Sequence, residues 1–582
     1  MPPSSPDLPS KAIRLYTSAV RAVRPVGVEF EGHEVPEDPG AGRECPTSRA
    51  IKADSMRGGP RSARPPHVSM PFEPFNQILD LIEFEKLGEV EALARLDIPK
   101  ALSPRLIHEG LAVWVRQAVR RFRDGLATDM AVVEAHDLTA VRPWVHQIPA
   151  ADPHSRTYEL CVWGRGYTYR TASGLTRELR VPVIGHADGT RRSDAERAVM
   201  AYVVAVGGLV DTPVFDKDKG RFLSGVPFPV LPATATVPGA RTPEHVRVVE
   251  VGLADGESVP LFQGSVEAAS AYFAKHGRTA IRDLFRSTDL RPGYDCLDCK
   301  ARTDCNRLPT FAGLLGIRDR SRARRVFTAT NGRYHAECAA KEYFRSLRLP
   351  VDAAKENTPA VRQGKAVHAW LERLHNRSPR RPCTEADMPE DPDSWSAGGW
   401  HLQGAEARNA AAMLAHHPDI CPFIGLAPDA PAYTERVIAA DDPRSNTLVI
   451  AHADLVYLRN GSWRYRELKT TSSSRIHDGE SLLNRYPQAA LAVLLFEAGA
   501  IPLGPLSAVE VEILTPHGAD LRILDPNSAP TREAARRKVN ALASAWHADV
   551  GHLANPGPAC QGCSYLRWCP SAKADANEVA SA

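Results

Sequence analysis

A chain of 582 residues exceeds one ordinary domain and is expected to fold as roughly two to four. Its 43% hydrophobic and 24% charged residues are normal globular usage, and a net charge of +3 excludes a global polycation, so any nucleic-acid surface must be a local groove. The longest apolar run, Ala489 to Phe496, stops at Glu497, far short of the roughly 20 residues that span a bilayer.

Residues 1–69 are rich in Pro, Arg, Gly and Ser and read as a disordered extension without a signal-type apolar stretch, so a cytoplasmic location is expected. Helical spacing begins at "FNQILDLIEFEKLGEVEALARL" and continues through "PRLIHEGLAVWVRQAVRRF". Strand-like alternation follows in "TYELCVWGRGYTYR" and "TRELRVPVIG", then a helix "DAERAVMAYVVAVGG", a strand "HVRVVEVGL" and a helix "SVEAASAYFAKHG". The basic, Pro-containing stretch 306–327 reads as a linker, bounded at 310–325. Beyond it the order recurs: helices "GRYHAECAAKEYFRSL" and "GKAVHAWLERLH", hairpin strands around Asn460-Gly461, a helix "YPQAALAVLLFEAG", strands "LSAVEVEILTP" and "ADLRIL", and an amphipathic helix "TREAARRKVNALASAW".

Each half ends in the same spacing, Cys-x2-Cys-x5-Cys, at 296–305 and again at 560–569. In a reducing compartment such clusters point to metal thiolates and not to disulfides. The repeated order and spacing predict a diverged tandem repeat: a first domain over 70–309, a second over 326–572 and a tail over 573–582. In this alignment His108 answers His368, and "TREL" at 176–179 answers "YREL" at 465–468.

In the second half Asp454 lies on one apolar strand, and Glu467 and Lys469 project together from the next, because residues two apart share a face. A tight hairpin brings the two carboxylates together, and they repel unless a hard divalent cation sits between them. Mg²⁺ or Mn²⁺ there would neutralise a phosphodiester oxygen and acidify an attacking water, with Lys469 stabilising developing charge and His368 completing the metal shell.

The ordered set Cys338 in "RYHAECAAKEYF", His368 in "GKAVHAWLE", Asp454 in "AHADLVY", Glu467 and Lys469 in "YRELKTT", Gln488 in "YPQAALAVLLF", then Cys560, Cys563 and Cys569, resembles the PD-(D/E)XK nuclease superfamily. The resemblance is to the RecB-like branch, which includes CRISPR-associated exonucleases with an iron–sulfur cluster, and it covers roughly residues 326–570. It implies two tandem restriction-endonuclease-like α/β/α domains, the first degenerate. It further implies catalysis by Asp454, Glu467 and Lys469, Mg²⁺ or Mn²⁺ held by His368, Asp454 and Glu467, and DNA engaged by Gln488. The family often carries a tyrosine four residues after that glutamine, where this chain has Ala492. Cys338, Cys560, Cys563 and Cys569 would hold a [4Fe–4S] cluster, although four thiolates suit zinc equally.

The first half lacks the acids. Counting back from Glu178 by the Asp454–Glu467 interval gives Arg165, Arg180 answers Lys469, and the alternative register through Asp188 has no acid-x-Lys pair after it. Cys296, Cys299 and Cys305 form a candidate second metal cluster whose fourth ligand is Cys45, Cys161, a histidine or nothing; Cys383 and Cys421 read as ordinary residues. The expected function is a Mg²⁺- or Mn²⁺-dependent deoxyribonuclease. It would act as an exonuclease or end-processing enzyme on single strands or duplex ends, in DNA repair, recombination or phage defence. No P-loop is present, so unwinding would need a separate helicase subunit. The alternative is a non-catalytic DNA-binding or scaffold subunit of a helicase–nuclease assembly.

Overall fold

The computed structural model describes residues 12–20, 45–53, 63–148, 157–211, 227–472 and 479–572. In the second half a six-stranded sheet forms around β6 (Ala432–Asp442), β7 (Thr447–Arg459), β8 (Ser462–Thr470), β9 (Ala508–Thr515) and β10 (Gly518–Leu524), with Arg325–Phe327 pairing parallel to the start of β7. β6–β7–β8 is an antiparallel meander, β8 and β9 are parallel, and β9–β10 is a hairpin. The parallel step needs a crossover, supplied by helix α6 (Pro487–Glu497), whose residues are apolar all round and almost wholly buried. One face of the sheet packs α6 and α7 (Ala529–Ala548), with Trp463, Tyr465 and Trp546 in that core. The other face packs α4 (Pro359–His375) and α5 (Gly404–Ala415).

The first half repeats the five main strands of this topology and adds a separate four-stranded sheet of Ala12–Tyr16, Thr157–Cys161, Trp144–Ile148 and Gly208–Leu209. β1 (His136–Val141), β2 (Arg165–Thr171) and β3 (Gly174–Val183) form an antiparallel meander, β3 runs parallel to β4 (His245–Gly252), and β4 pairs antiparallel with β5 (Ser258–Ser265). Helix α2 (Asp194–Val206) makes the crossover and α1 (Glu109–Val132) precedes the sheet. The expected pair of α/β sandwich domains is therefore found.

A buried polar layer marks the kinship more closely. On β8 and β9, Arg466 faces Glu510 across the parallel ladder, and the Tyr457 hydroxyl donates to Glu510 Oε2 at 2.8 Å. At the corresponding positions of β3 and β4, Glu178 faces Arg247 and Tyr169 donates to Glu178 at 2.9 Å. The tyrosine is kept and the charges of the cross-strand pair are exchanged.

Three expectations are corrected here. The extension over 1–69 contains a strand, Ala12–Tyr16, paired parallel with Thr157–Cys161, and a helix, Pro46–Ala53, because Ile13, Leu15, Val20 and Cys45 are buried. The 310–325 segment is no free linker: Leu314, Leu315 and Ile317 enter the second core, and Asp442 accepts the Gly313 and Leu315 backbone N–H groups. His108 does not answer His368, since it N-caps α1 through the Gly110 N–H and bonds the His552 carbonyl, whereas His368 lies mid-helix. The expected tail, 573–582, lies outside the described residues. Among the described residues no helix is long and apolar enough to cross a membrane.

Each cysteine segment docks on the opposite half. Cys338, Cys560, Cys563 and Cys569 join the apolar cluster containing Trp114, Phe122 and Phe344 beside α1. Cys296 and Cys305 lie against Val437, Ala439, Leu448 and Ile450 of β6 and β7.

Candidate active site

The site is built where the β6–β7–β8 meander opens. Asn460 and Gly461 both adopt positive φ, 51° and 71°, so the turn has the twist a two-residue hairpin requires. Cross-strand pairing runs from Arg459/Ser462 to Leu455/Arg466 and stops there. Beyond it the Asp454 carboxylate takes the place of a ladder carbonyl, and the Leu468 backbone N–H donates to Asp454 Oδ2 at 2.6 Å. The other oxygen, Oδ1, lies 3.1 Å from His368 Nδ1 on α4.

Glu435 completes the group. On β6 the register passes from Thr434/Leu455 to Arg436/Ala453, and Glu435 between them has φ 48°, a left-handed conformation unfavourable for a side chain with a Cβ. Ligand atoms of His368, Glu435 and Asp454 lie within 4.8 Å of one another. Glu467 stands beside this group with both oxygens engaged, Oε1 by Lys469 Nζ at 2.6 Å and Oε2 by the Tyr465 hydroxyl at 3.1 Å.

The electrostatics follow from this crowding. Burial pushes the Glu467 carboxyl up, Lys469 pulls it down and Asp454 adds to the rise. Burial opposes charge on Asp454 and on Lys469 too, yet His368 and Lys469 hold the Asp454 pKa below its ordinary value, and Glu467 and Asp454 raise that of Lys469. Burial likewise disfavours the His368 imidazolium, but Asp454 outweighs it and the pKa rises. Two carboxylates and an imidazole at this separation suit a hard divalent cation, which would pull both carboxyls down and disfavour the charged forms of His368 and Lys469.

Lys469 also lies 6.0 Å from the Tyr486 ring, at the mouth of α6. One residue into that helix, Gln488 Oε1 is buried with no hydrogen-bond partner among the described residues. A buried acceptor without a protein donor is uncommon, and it singles out Gln488 at the start of α6. Ala492, one turn further on, is fully buried in the core and presents nothing to solvent.

Of the clustered cysteines, Cys338 N-caps helix α3 (Ala339–Ser346), and its Sγ accepts the Asn555 N–H at 3.4 Å. Burial pushes the Cys563 and Cys569 thiols up, with Cys338 and Cys560 beside both adding to the rise. The four are neighbours, but among the described residues no three of their sulfurs close to within 4.8 Å of one another as the ligand atoms of the acid group do. In the first half, Cys45 Sγ accepts the Ser48 and Arg291 N–H groups at 3.4 and 3.5 Å. Cys296 is pushed up to about 12 by burial, with Cys45, Cys299 and Cys305 contributing. Cys45 is the thiol that lies near this triplet, although no three of the four sulfurs close to within 4.8 Å, whereas Cys161 lies on the strand Thr157–Cys161 beside Val145 and Phe228.

A fourth group was not legible as a site. His375, Cys383, His417 and Cys421 are all buried, with ligand atoms within 4.8 Å of one another. Their separation in sequence conceals them, and the short spacings His-x7-Cys and His-x3-Cys were the available signal.

Residues 327–570 match the family model of the PD-(D/E)XK nuclease superfamily. The match opens on the strand Arg325–Phe327 and closes just after Cys569, so it contains His368, Asp454, Glu467, Lys469 and the terminal cysteine clasp. The search of curated proteins found no match to the chain. In the first half the positions that answer Asp454, Glu467 and Lys469 are apolar. Counting from the closing pairs of the two hairpins, Arg459/Ser462 and Thr171/Gly174, Asp454 corresponds to Gly166, Glu467 to Leu179 and Lys469 to Val181. The alignment of "TREL" with "YREL" is one residue out of register, which turns Glu178 and Arg180 to the opposite face of the sheet. Arg180 there pairs with Glu178 and with Asp129 of α1, both at 2.8 Å.

Proposed function

We propose that the chain is a metal-dependent deoxyribonuclease of the RecB-like kind, with its chemistry in the second half and a first half that has lost catalysis. The observation that supports this reading is the His368–Glu435–Asp454 group standing beside the Glu467–Lys469 pair inside the matched region. Bound Mg²⁺ or Mn²⁺ supplies a phosphoryl Lewis acid and a water of lowered pKa. The protein supplies the geometry: the Leu468 N–H and His368 fix Asp454, and Tyr465 and Lys469 fix Glu467, so both carboxylates are oriented before substrate arrives. The Lys469 ammonium, held charged by two acids, is placed to stabilise charge developing on the phosphate. Gln488, with its unpaired acceptor, is the residue that would grip a nucleotide amine.

In the same reading Cys338, Cys560, Cys563 and Cys569 hold a [4Fe–4S] cluster, with zinc as the alternative occupant. Cys45, Cys296, Cys299 and Cys305 form the matching group of the first half. End processing in repair, recombination or phage defence, a cytoplasmic location and a separate helicase partner complete the proposal. The scaffold alternative draws on one observation, the loss of all three catalytic positions at Gly166, Leu179 and Val181.

The purified full chain is incubated with labelled single-stranded and blunt duplex DNA in Mg²⁺, Mn²⁺ or EDTA. Cleavage should require the ion and disappear in Asp454→Ala, with circular dichroism unchanged. Binding of DNA without cleavage under every metal condition would transfer the assignment to the scaffold reading. Anaerobic purification with an absorbance spectrum and iron analysis separates iron–sulfur from zinc at the tetracysteine clasp.

A further inference from the structure

Away from the acids, on the side of the sheet that packs α4 and α5, four side chains close on one point. His375 ends α4, two turns beyond His368; Cys383 lies in the following loop; His417 and Cys421 flank the short turn after α5. All four are buried: His417 is 0% exposed, Cys421 3%, Cys383 4% and His375 7%. The cysteines are free thiols.

The nitrogens point at each other, His375 Nε2 lying 3.2 Å from His417 Nε2. A tetrahedral zinc about 2.0 Å from each nitrogen holds two such atoms about 3.3 Å apart. The outer partners fit the same arrangement. His417 Nδ1 lies 2.6 Å from Glu512 Oε1, the carboxylate that fixes a ligating histidine's tautomer, and Arg466 Nη1 donates to Glu512 Oε2 at 2.9 Å. The Cys383 backbone N–H points at Cys421 Sγ, 3.3 Å away.

We infer that His375, Cys383, His417 and Cys421 form a closed Cys2His2 structural zinc site. Two thiolates and two neutral imidazoles balance Zn²⁺ to a neutral centre, which can be buried without a counter-ion. The soft sulfur and imidazole set excludes Mg²⁺ and Mn²⁺, which take oxygen ligands, and four protein ligands leave no open coordination position for catalysis. The centre ties the far end of α4 to the segment after α5 and, through Glu512 and Arg466, to β9 and β8. It therefore anchors the helix that presents His368, and it stands whether or not the chain cleaves DNA.

The test uses the full chain expressed with zinc in the medium. X-ray absorption at the zinc edge should show sulfur at about 2.3 Å together with nitrogen at about 2.0 Å. That nitrogen component persists whatever the two tetracysteine groups hold. The double variant Cys383→Ala/Cys421→Ala should lose one molar equivalent of zinc and the nitrogen shell while iron content is unchanged. His375→Cys, which keeps four ligands, should retain the equivalent. A wild-type protein without zinc, a shell of sulfur alone, or a folded double variant with full zinc content would overturn the assignment. Should the double variant fail to fold, the wild-type spectrum decides by itself.

Discussion

Glu435 is held in a left-handed backbone conformation between two regularly paired neighbours, and a residue with a Cβ does not adopt that conformation without cost. The distortion turns its carboxylate toward Asp454 and His368, where a third oxygen ligand would sit. Glu435→Gln keeps the size and removes the charge, so it should lower cleavage about 10- to 100-fold at limiting metal, the range seen when a ligand-shell group is lost. Excess Mg²⁺ or Mn²⁺ should restore most of that activity. Lys469→Ala should be as inactive at high metal as at low, because its role is not metal affinity. Kinetics titrated against the ion distinguish the two, and a metal-independent defect in Glu435→Gln would remove Glu435 from the metal group. Asp454, Glu467 and Lys469 were readable as neighbours because strand alternation and an Asn-Gly turn fix which side chains share a face, whereas His368, on a helix, was picked out through the family resemblance. Glu435 was not, because "TERV" gives no sign that one residue will take a positive φ. Cys383 and Cys421 were hidden for another reason: the loop and helix that join them in space are separate in sequence.

At the scale of elements, the ladder β7–β8–β9 contains a buried charge layer that the topology makes compulsory. Glu510 accepts from Tyr457, Arg464 and Arg466, and all four sit at the sheet's centre. Burial disfavours the Glu510 carboxylate, yet Arg466 and Arg464 outweigh it and its pKa is depressed. A carboxylate depressed on folding contributes stability that is complete above its unfolded value of about 4.3 and is lost as pH falls through the folded value. Glu510→Gln should therefore cost roughly 1.5–3 kcal/mol at pH 7, the worth of a charged hydrogen bond. Urea melts repeated below pH 4 should show the wild-type advantage shrinking; a gap independent of pH would mean that charge is not what Glu510 contributes. The strands and crossover helix of the second half were legible from periodicity and turn residues, but the strands His136–Val141 and Ser258–Ser265 and the helix Gly404–Ala415 were not read. The register of the first half was not legible either. A shared Arg-Glu-Leu string suggested one alignment, while the Ala172-Ser173 turn, without an Asn-Gly signature, set another one residue away.

The whole molecule is two like sandwiches clasped by their cysteine segments, each docked on the other half. Composition hid this, since Arg and Pro residues around Leu314 and Ile317 read as linker and the halves read as independent. Gly110, in the first turn of α1, tests the clasp directly. A Cβ built there would lie 2.6 Å from the Trp568 carbonyl oxygen and would overlap the Phe344 ring. Trp568 cannot retreat easily, because its side chain is 1% exposed and its Nε1 donates to the Pro350 carbonyl at 2.7 Å. In an unencumbered helix Gly→Ala stabilises by up to about 1 kcal/mol. Where backbone must move to admit the methyl, overpacking costs about 1–3 kcal/mol instead. The sign of the change in melting temperature for Gly110→Ala thus reports whether residues 560–569 lie against α1. A lower melting temperature, with faster proteolysis within 555–569, is expected. A higher one would show that the terminal cysteines do not dock on the first half, and that the two sandwiches are joined through the Cys296–Cys305 segment and the Leu314–Ile317 strap.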